Sequence, residues 1–120
     1  YTEVNGVLFN TEKTVLLTYP AGKTGTNYNI PDGVTSIGVQ AFWSSSSLTS
    51  ITIPDSVTSI GEGAFGGCTS LAEVTFLGDA PKEGNAVFSS ATPTIYRNPE
   101  AKGWGDTFAD RPVKLISEKP

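Results

Sequence analysis

The chain has no histidine, no methionine and a single cysteine among its 120 residues. Without histidine it lacks the commonest general base and the commonest metal ligand of proteins. One cysteine, Cys68, cannot form an internal disulfide and gives no reading of redox compartment. Charge is also scarce: Asp, Glu, Lys and Arg make up 17% of residues, against roughly 25% in an average globular protein. The balance is acidic, with a net charge of −4 and a pI near 4.6. No Lys or Arg lies between Lys23 and Lys82, a stretch holding Asp32, Asp55, Glu62, Glu73 and Asp79. Nucleic-acid binding needs a basic face, so no nucleic-acid partner is expected. No apolar run approaches the roughly 18 residues of a membrane helix. The chain begins at Tyr1 without Met and shows no signal peptide. It is expected to be a piece of a longer protein, with export signals and any membrane anchor outside it.

Ser, Thr, Gly and Pro take the place of the missing charge. That composition favours strands and turns over helices. The length suits one domain with one core.

The sequence repeats. Residues 28–50 read YNIPDGVTSIGVQAFWSSSSLTS and residues 51–73 read ITIPDSVTSIGEGAFGGCTSLAE, identical at 12 of 23 positions without a gap. A fixed period of this length marks a solenoid. A third copy fades from Val74-Thr75-Phe76 through Gly84, Phe88 and Ala91, after which the frame slips before a short strand at Thr94-Ile95-Tyr96. Within a unit, Leu48-x-x-Ile51-x-Ile53 alternates apolar and polar residues, predicting a short strand buried on one face. Pro54 ends it and Pro54-Asp55 turns the chain. Val57, Ile60 and Phe65 return to the core, and Gly61 is expected to supply a backbone conformation that a β-carbon would resist. One such unit cannot bury its own apolar face, so the units must stack around a parallel sheet on one side.

The ends differ, as solenoid ends must. Val7-Leu8-Phe9 and Val15-Leu16-Leu17 flank a polar Asn10-Thr11-Glu12-Lys13, predicting a β-hairpin closed by Tyr19-Pro20-Ala21-Gly22. Asn98-Pro99-Glu100 has the chemistry of a helix start, predicting a short helical turn through Ala101 that ends at Gly103. Trp104 and Phe108 then fold over the open end of the core. Val113 to Ile116 follow as a last strand and Ser117 to Pro120 as a frayed tail. The organisation expected is a single domain, 1–120: hairpin unit 1–27, repeats 28–50 and 51–73, degenerate repeat 74–96 and cap 97–120.

The run Ile53-Pro54-Asp55-Ser56-Val57-Thr58-Ser59-Ile60-Gly61, with Ala64-Phe65 and Cys68-Thr69-Ser70-Leu71, resembles the repeat of BspA-type leucine-rich-repeat proteins of bacterial cell surfaces. Gly6 to Asn10 with Tyr19 to Lys23 resembles the hairpin unit that precedes such repeats. Gly103 to Phe108 with Arg111-Pro112 is similar to endings of the family. The resemblance implies a mainly β, short right-handed leucine-rich-repeat solenoid with a parallel sheet, an N-terminal hairpin and a C-terminal helical cap. It further implies a cell-surface or secreted location and a role in adhesion, with host matrix proteins, other surface proteins or glycans as partners. It brings no catalytic set and no cofactor.

The candidate chemistry is correspondingly thin. Cys68 has no base to activate it, and its equivalents Ser45 and Ala91 mark a position that wants a small side chain. Asp32 and Asp55 occupy equivalent places on neighbouring coils, near the carboxylate spacing of a retaining glycosidase. A residue repeated by the period is repeated for structure, and Asp after Pro is turn chemistry. The repeat pattern of known calcium-binding solenoids is absent as well, so no metal site is assigned. Binding is assigned to the concave face. With Leu48, Ile51 and Ile53 inward, Ser50 and Thr52 point out, and Asn27 with Asn29 and Glu73 with Thr75 are their equivalents. This patch is either a rigid polar surface for a protein or glycan, or simply threonine and its like in exposed strands. Trp43 stands where the next repeat has Gly66, so the period does not demand it. It either contacts a sugar or partner, or shields the seam with the hairpin. Trp104 is assigned to the cap.

Overall fold

Each repeat crosses the core twice, because two segments per unit carry buried residues: Leu48 to Ile53 and Val57 to Ile60. The computed structural model describes residues 1–119. In chain order its strands are β1 (Thr2–Val4), β2 (Val7–Phe9), β3 (Val15–Thr18), β4 (Asn27–Asn29), β5 (Ser36–Ile37), β6 (Ser50–Ile53), β7 (Ser59–Ile60), β8 (Glu73–Phe76), β9 (Lys82–Glu83), β10 (Thr94–Arg97), β11 (Thr107–Phe108) and β12 (Arg111–Leu115). They form two six-stranded sheets, ordered β1-β2-β3-β5-β7-β9 and β4-β6-β8-β10-β12-β11. The second sheet holds the expected parallel strands. The first, with its two-residue strands Ser36–Ile37, Ser59–Ile60 and Lys82–Glu83, corrects the expectation of a sheet on one side only. Such strands are too short to display a period of two.

The 23-residue period is the register itself. Tyr28 lies opposite Ile51 and Ile51 opposite Val74, with parallel pairing throughout. The next step pairs Val74 with Ile95, two residues fewer, which is the frame slip after Ala91. Coil corners are fastened by threonines: Thr35 Oγ1 donates to Thr14 O (3.2 Å), Thr58 Oγ1 to Thr35 O (3.2 Å) and Thr49 Oγ1 to Thr26 O (3.0 Å). The interior is one cluster, threaded by a column of aromatic rings. Tyr19, Phe42, Phe65 and Phe88 stack at centroid spacings of 5.0, 4.9 and 5.5 Å. Such pairs add roughly 0.5–1.5 kcal/mol each beyond their buried area.

Gly61 is required for a different reason from the one its turn context implies. Its φ is not positive; instead a β-carbon there would lie 2.7 Å from the Val39 nitrogen of the preceding coil. Gly84 stands in the same relation to Glu62. The coils stack too closely at this corner for any side chain.

The hairpin forms as expected from β2 and β3, with β1 added antiparallel to β2. Asn10 holds its turn: Oδ1 accepts from the Thr14 and Val15 amides at 2.8 and 2.9 Å. The hairpin joins the short-strand sheet through β3 and β5.

The C-terminal helical cap does not form. Asn98 to Ala101 is a single turn closed by Ala101 N donating to Asn98 O (3.1 Å). The next amide, Lys102 N, donates to Asp79 Oδ1 (2.8 Å), and Ala80 N donates to Lys102 O (3.0 Å). Bonds to the previous coil thus replace the bonds a helix would make to itself. Trp104 does close the end: its ring lies 4.9 Å from Phe76 and 5.2 Å from Phe108, and Nε1 donates to Gly78 O (3.2 Å). The last strand is β12, followed by a 3-10 turn at Ile116–Glu118, the sole helical element among the described residues. Ser117 to Lys119 are therefore folded rather than frayed; Pro120 lies outside the described residues.

Candidate binding face

The solvent side of the long-strand sheet carries two rows set by strand alternation. One row runs Asn27, Ser50, Glu73, Thr94, and the other Asn29, Thr52, Thr75, Tyr96, Lys114. All six residues assigned to this face thus lie in adjacent rows. Asn27 and Asn29 are exposed, and Ser50, Thr52 and Glu73 are half-buried. The Ser50 hydroxyl donates to Asn27 Oδ1, tying the first two strands together.

Thr75 departs from the expectation of an open position: it is buried, at 5% exposure. Its neighbour in the row is Tyr96, also buried, and Lys119 reaches back to this end of the sheet. Lys119 Nζ lies 5.4 Å over the Tyr96 ring and 3.4 Å from Glu73 Oε1. With Thr75 buried and Glu73 paired to Lys119, the part of the face clear of these contacts is Asn27, Asn29, Ser50 and Thr52. The returning tail was not legible in sequence, because Ser117 to Lys119 carry no pattern of their own.

Trp43 lies outside this face, in the turn after β5, and is 45% exposed. Its six-membered ring leans onto Gly63 and Gly66 of the following coil, the opposite direction from the hairpin. A β-carbon at Gly66 would come 2.2 Å from Cζ3. Trp43 and Gly66 are thus complementary occupants of one space.

The other candidates resolve into structure. Cys68 is fully buried and Sγ donates to Phe42 O (3.1 Å). Burial pushes its thiol up to about 11, away from the reactive thiolate. Asp32 and Asp55 stand exposed at coil corners, and no group of three His, Cys, Asp or Glu among the described residues could hold a metal ion.

Sequence reasoning missed a groove of about 490 Å³ lined by Asp55, Leu77, Asp79 and Glu100 among others. Its signal lies in the third repeat, where Leu77-Gly78-Asp79-Ala80 replaces Pro54-Asp55-Ser56-Val57 and a smaller side chain stands in place of Val57.

A model of the BspA type leucine-rich repeat region matches residues 21–98 in six copies. The chain belongs to this family. Solved structures agree in fold. A leucine-rich cell-surface protein of Faecalibacterium prausnitzii is 28% identical, with a TM-score of 0.55 over 76% of this chain and 30% of its own. A leucine-rich-repeat protein of Eubacterium ventriosum is 27% identical, with a TM-score of 0.50 over 81% of this chain and 33% of its own. The pneumococcal vaccine antigen PcpA, 21% identical, shares the fold with a TM-score of 0.66 over 95% of this chain and 34% of its own. The chain spans about a third of the length of each. No curated protein matches it. Among this chain's own repeats, Trp43 and the Leu77 to Ala80 turn depart from the shared frame.

Proposed function

We propose that this BspA-type segment is a non-enzymatic binding module of a bacterial cell-surface or secreted protein, engaging a host or neighbouring-cell protein through the solvent face of its long-strand sheet. The observation that carries the reading is the paired rows of short polar side chains, Asn27 and Asn29 against Ser50 and Thr52, on strands fixed by a continuous core. A face held rigid before contact loses little entropy on binding. The F. prausnitzii neighbour is described as a cell-surface protein, which supports the location.

The test is binding of the chain to immobilised fibronectin and fibrinogen, beside a Ser50→Arg/Thr52→Arg variant with an unchanged melting temperature. Saturable binding lost in the variant is the expected result. Binding retained in the variant moves the site off this face. No binding by folded protein leaves a spacer segment that displays other regions of its parent.

A further inference from the structure

We propose that Trp43 and Gln40 form a second binding site, a flat platform for a glycan in the turn after β5, outside the long-strand sheet; it does not depend on the protein-binding reading above. The repeat does not ask for an aromatic here, since the equivalent positions are Gly66 and Ser89. Burial does not account for it either, because Trp43 stays 45% exposed while Phe42, its neighbour, is fully buried.

The platform is built to be rigid. Gln40 N donates to Glu62 O (3.0 Å), Phe42 N to Ala64 O (2.7 Å) and Ser44 N to Gly66 O (2.8 Å), so alternate amides of the turn are fastened to the next coil. Trp43 N donates to Gln40 O (3.1 Å), closing the turn on itself. The six-membered ring then rests on Gly63 and Gly66, where any side chain at 66 would displace it. One side of the ring is thus held by backbone and the rest faces water.

Gln40 stands beside the open ring, and the turn around it is polar. The Gln40 Cγ and the Trp43 Cζ3 each lie 3.5 Å from the place a β-carbon would take at Gly63, which sets them within about 7 Å of each other. Gln40, Ser44, Ser46, Ser47 and Glu62 are all exposed. A pyranose presents a face of polarised C–H groups, which the negative face of an indole attracts, and a rim of hydroxyls. The Gln40 amide can both donate to and accept from that rim. A protein hot spot asks for something else, an aromatic in a desolvated pocket ringed by further apolar contacts. Here Val39, 66% exposed beside Gly61, is the one other large apolar residue exposed along the turn. The surroundings therefore favour a sugar.

The experiment is a tryptophan-fluorescence titration of the chain with hexamers of β-1,4-linked glucose, N-acetylglucosamine, galactose and mannose. The second tryptophan, Trp104, is packed between Phe76 and Phe108 and serves as a constant background. A saturable change is expected with at least one hexamer, at a Kd of about 0.1–1 mM. It should vanish in Trp43→Ala, weaken about three- to tenfold in Gln40→Ala and survive in Trp43→Phe, which keeps a ring on the two glycines should the alanine variant misfold. No saturable change with any hexamer overturns the proposal, as does a change that persists in folded Trp43→Ala. Loss of fibronectin or fibrinogen binding in Trp43→Ala, with no response to sugars, also overturns it and assigns the ring to a protein partner.

Discussion

Gly61 passes beneath Val39 so closely that a β-carbon at 61 would sit 2.7 Å from the Val39 backbone nitrogen. Backbone cannot step aside as a flexible side chain can, so Gly61→Ala must push neighbouring coils apart or bend them. The expected loss is about 1–3 kcal/mol, typical of overpacking. Gly22→Ala is the control, since nothing lies within 4 Å of its β-carbon position and its φ is not positive. That change should be neutral or slightly stabilising. Urea unfolding of the two variants beside the parent checks both.

A second backbone demand recurs once per coil. Gln40, Gly63 and Ala86 occupy equivalent places with φ of 54°, 62° and 54°. The left-handed region costs an L-residue with a β-carbon about 1–2 kcal/mol, partly offset by the greater freedom glycine has when unfolded. Ala86→Gly should therefore stabilise the chain by about 0.5–1 kcal/mol, and Gly63→Ala should destabilise it by a similar amount or more. Thermal unfolding distinguishes the signs.

These positions also explain what the sequence could disclose. The period, the hairpin and the buried strands were legible because Ile51, Ile53 and Phe65 recur in register with equivalents that pack in the same columns. Two-residue strands such as Ser59–Ile60 were not, having too few residues to alternate. The helix expected at Asn98 follows sound local chemistry, but local preference lost to bonds with the previous coil at Asp79 and Ala80. Of the six residues assigned to the binding face, Thr75 alone is buried, and Lys119 reaches its neighbours Tyr96 and Glu73 from the far end of the chain. Contacts between distant segments leave no periodic trace.

The tail contact itself is weak by its chemistry. Lys119 pairs with Glu73 at 3.4 Å, and both side chains are about a third exposed. Such an ion pair with its cation–π contact is worth roughly 0.5–1 kcal/mol. Lys119→Ala should leave global stability nearly unchanged while loosening the 3-10 turn. The Leu115 amide, which donates to Glu118 Oε1 at 2.9 Å, is the reporter. Its hydrogen exchange should quicken in the variant and, to a smaller extent, in about 1 M salt, which screens exposed charges. Exchange unchanged in Lys119→Ala would show that the turn holds without the ion pair.

Alkaline pH should unfold the chain through three groups that are neutral when folded, Cys68, Tyr28 and Tyr19, the last also raised by burial. Burial holds the Cys68 thiol up at about 11, against an ordinary value of 9.0. Burial, with Tyr19 beside it, raises Tyr28 from 10.0 to about 12. In each case the folded value is the higher. The unfolded chain therefore releases its proton first, and stability is full below the unfolded value and falls as pH rises toward the folded one. Stability should be level through neutral pH, begin to fall near pH 9 as Cys68 enters its window, and fall more steeply from pH 10 to about 12 with Tyr28. Cys68→Ala, which installs the residue already found at the equivalent Ala91, should delay the onset to near pH 10 even where its overall stability is lower. Tyr28→Phe should flatten the upper limb. Urea midpoints measured from pH 7 to 11.5 check this, and an onset near pH 9 that survives in Cys68→Ala would assign the loss to other groups.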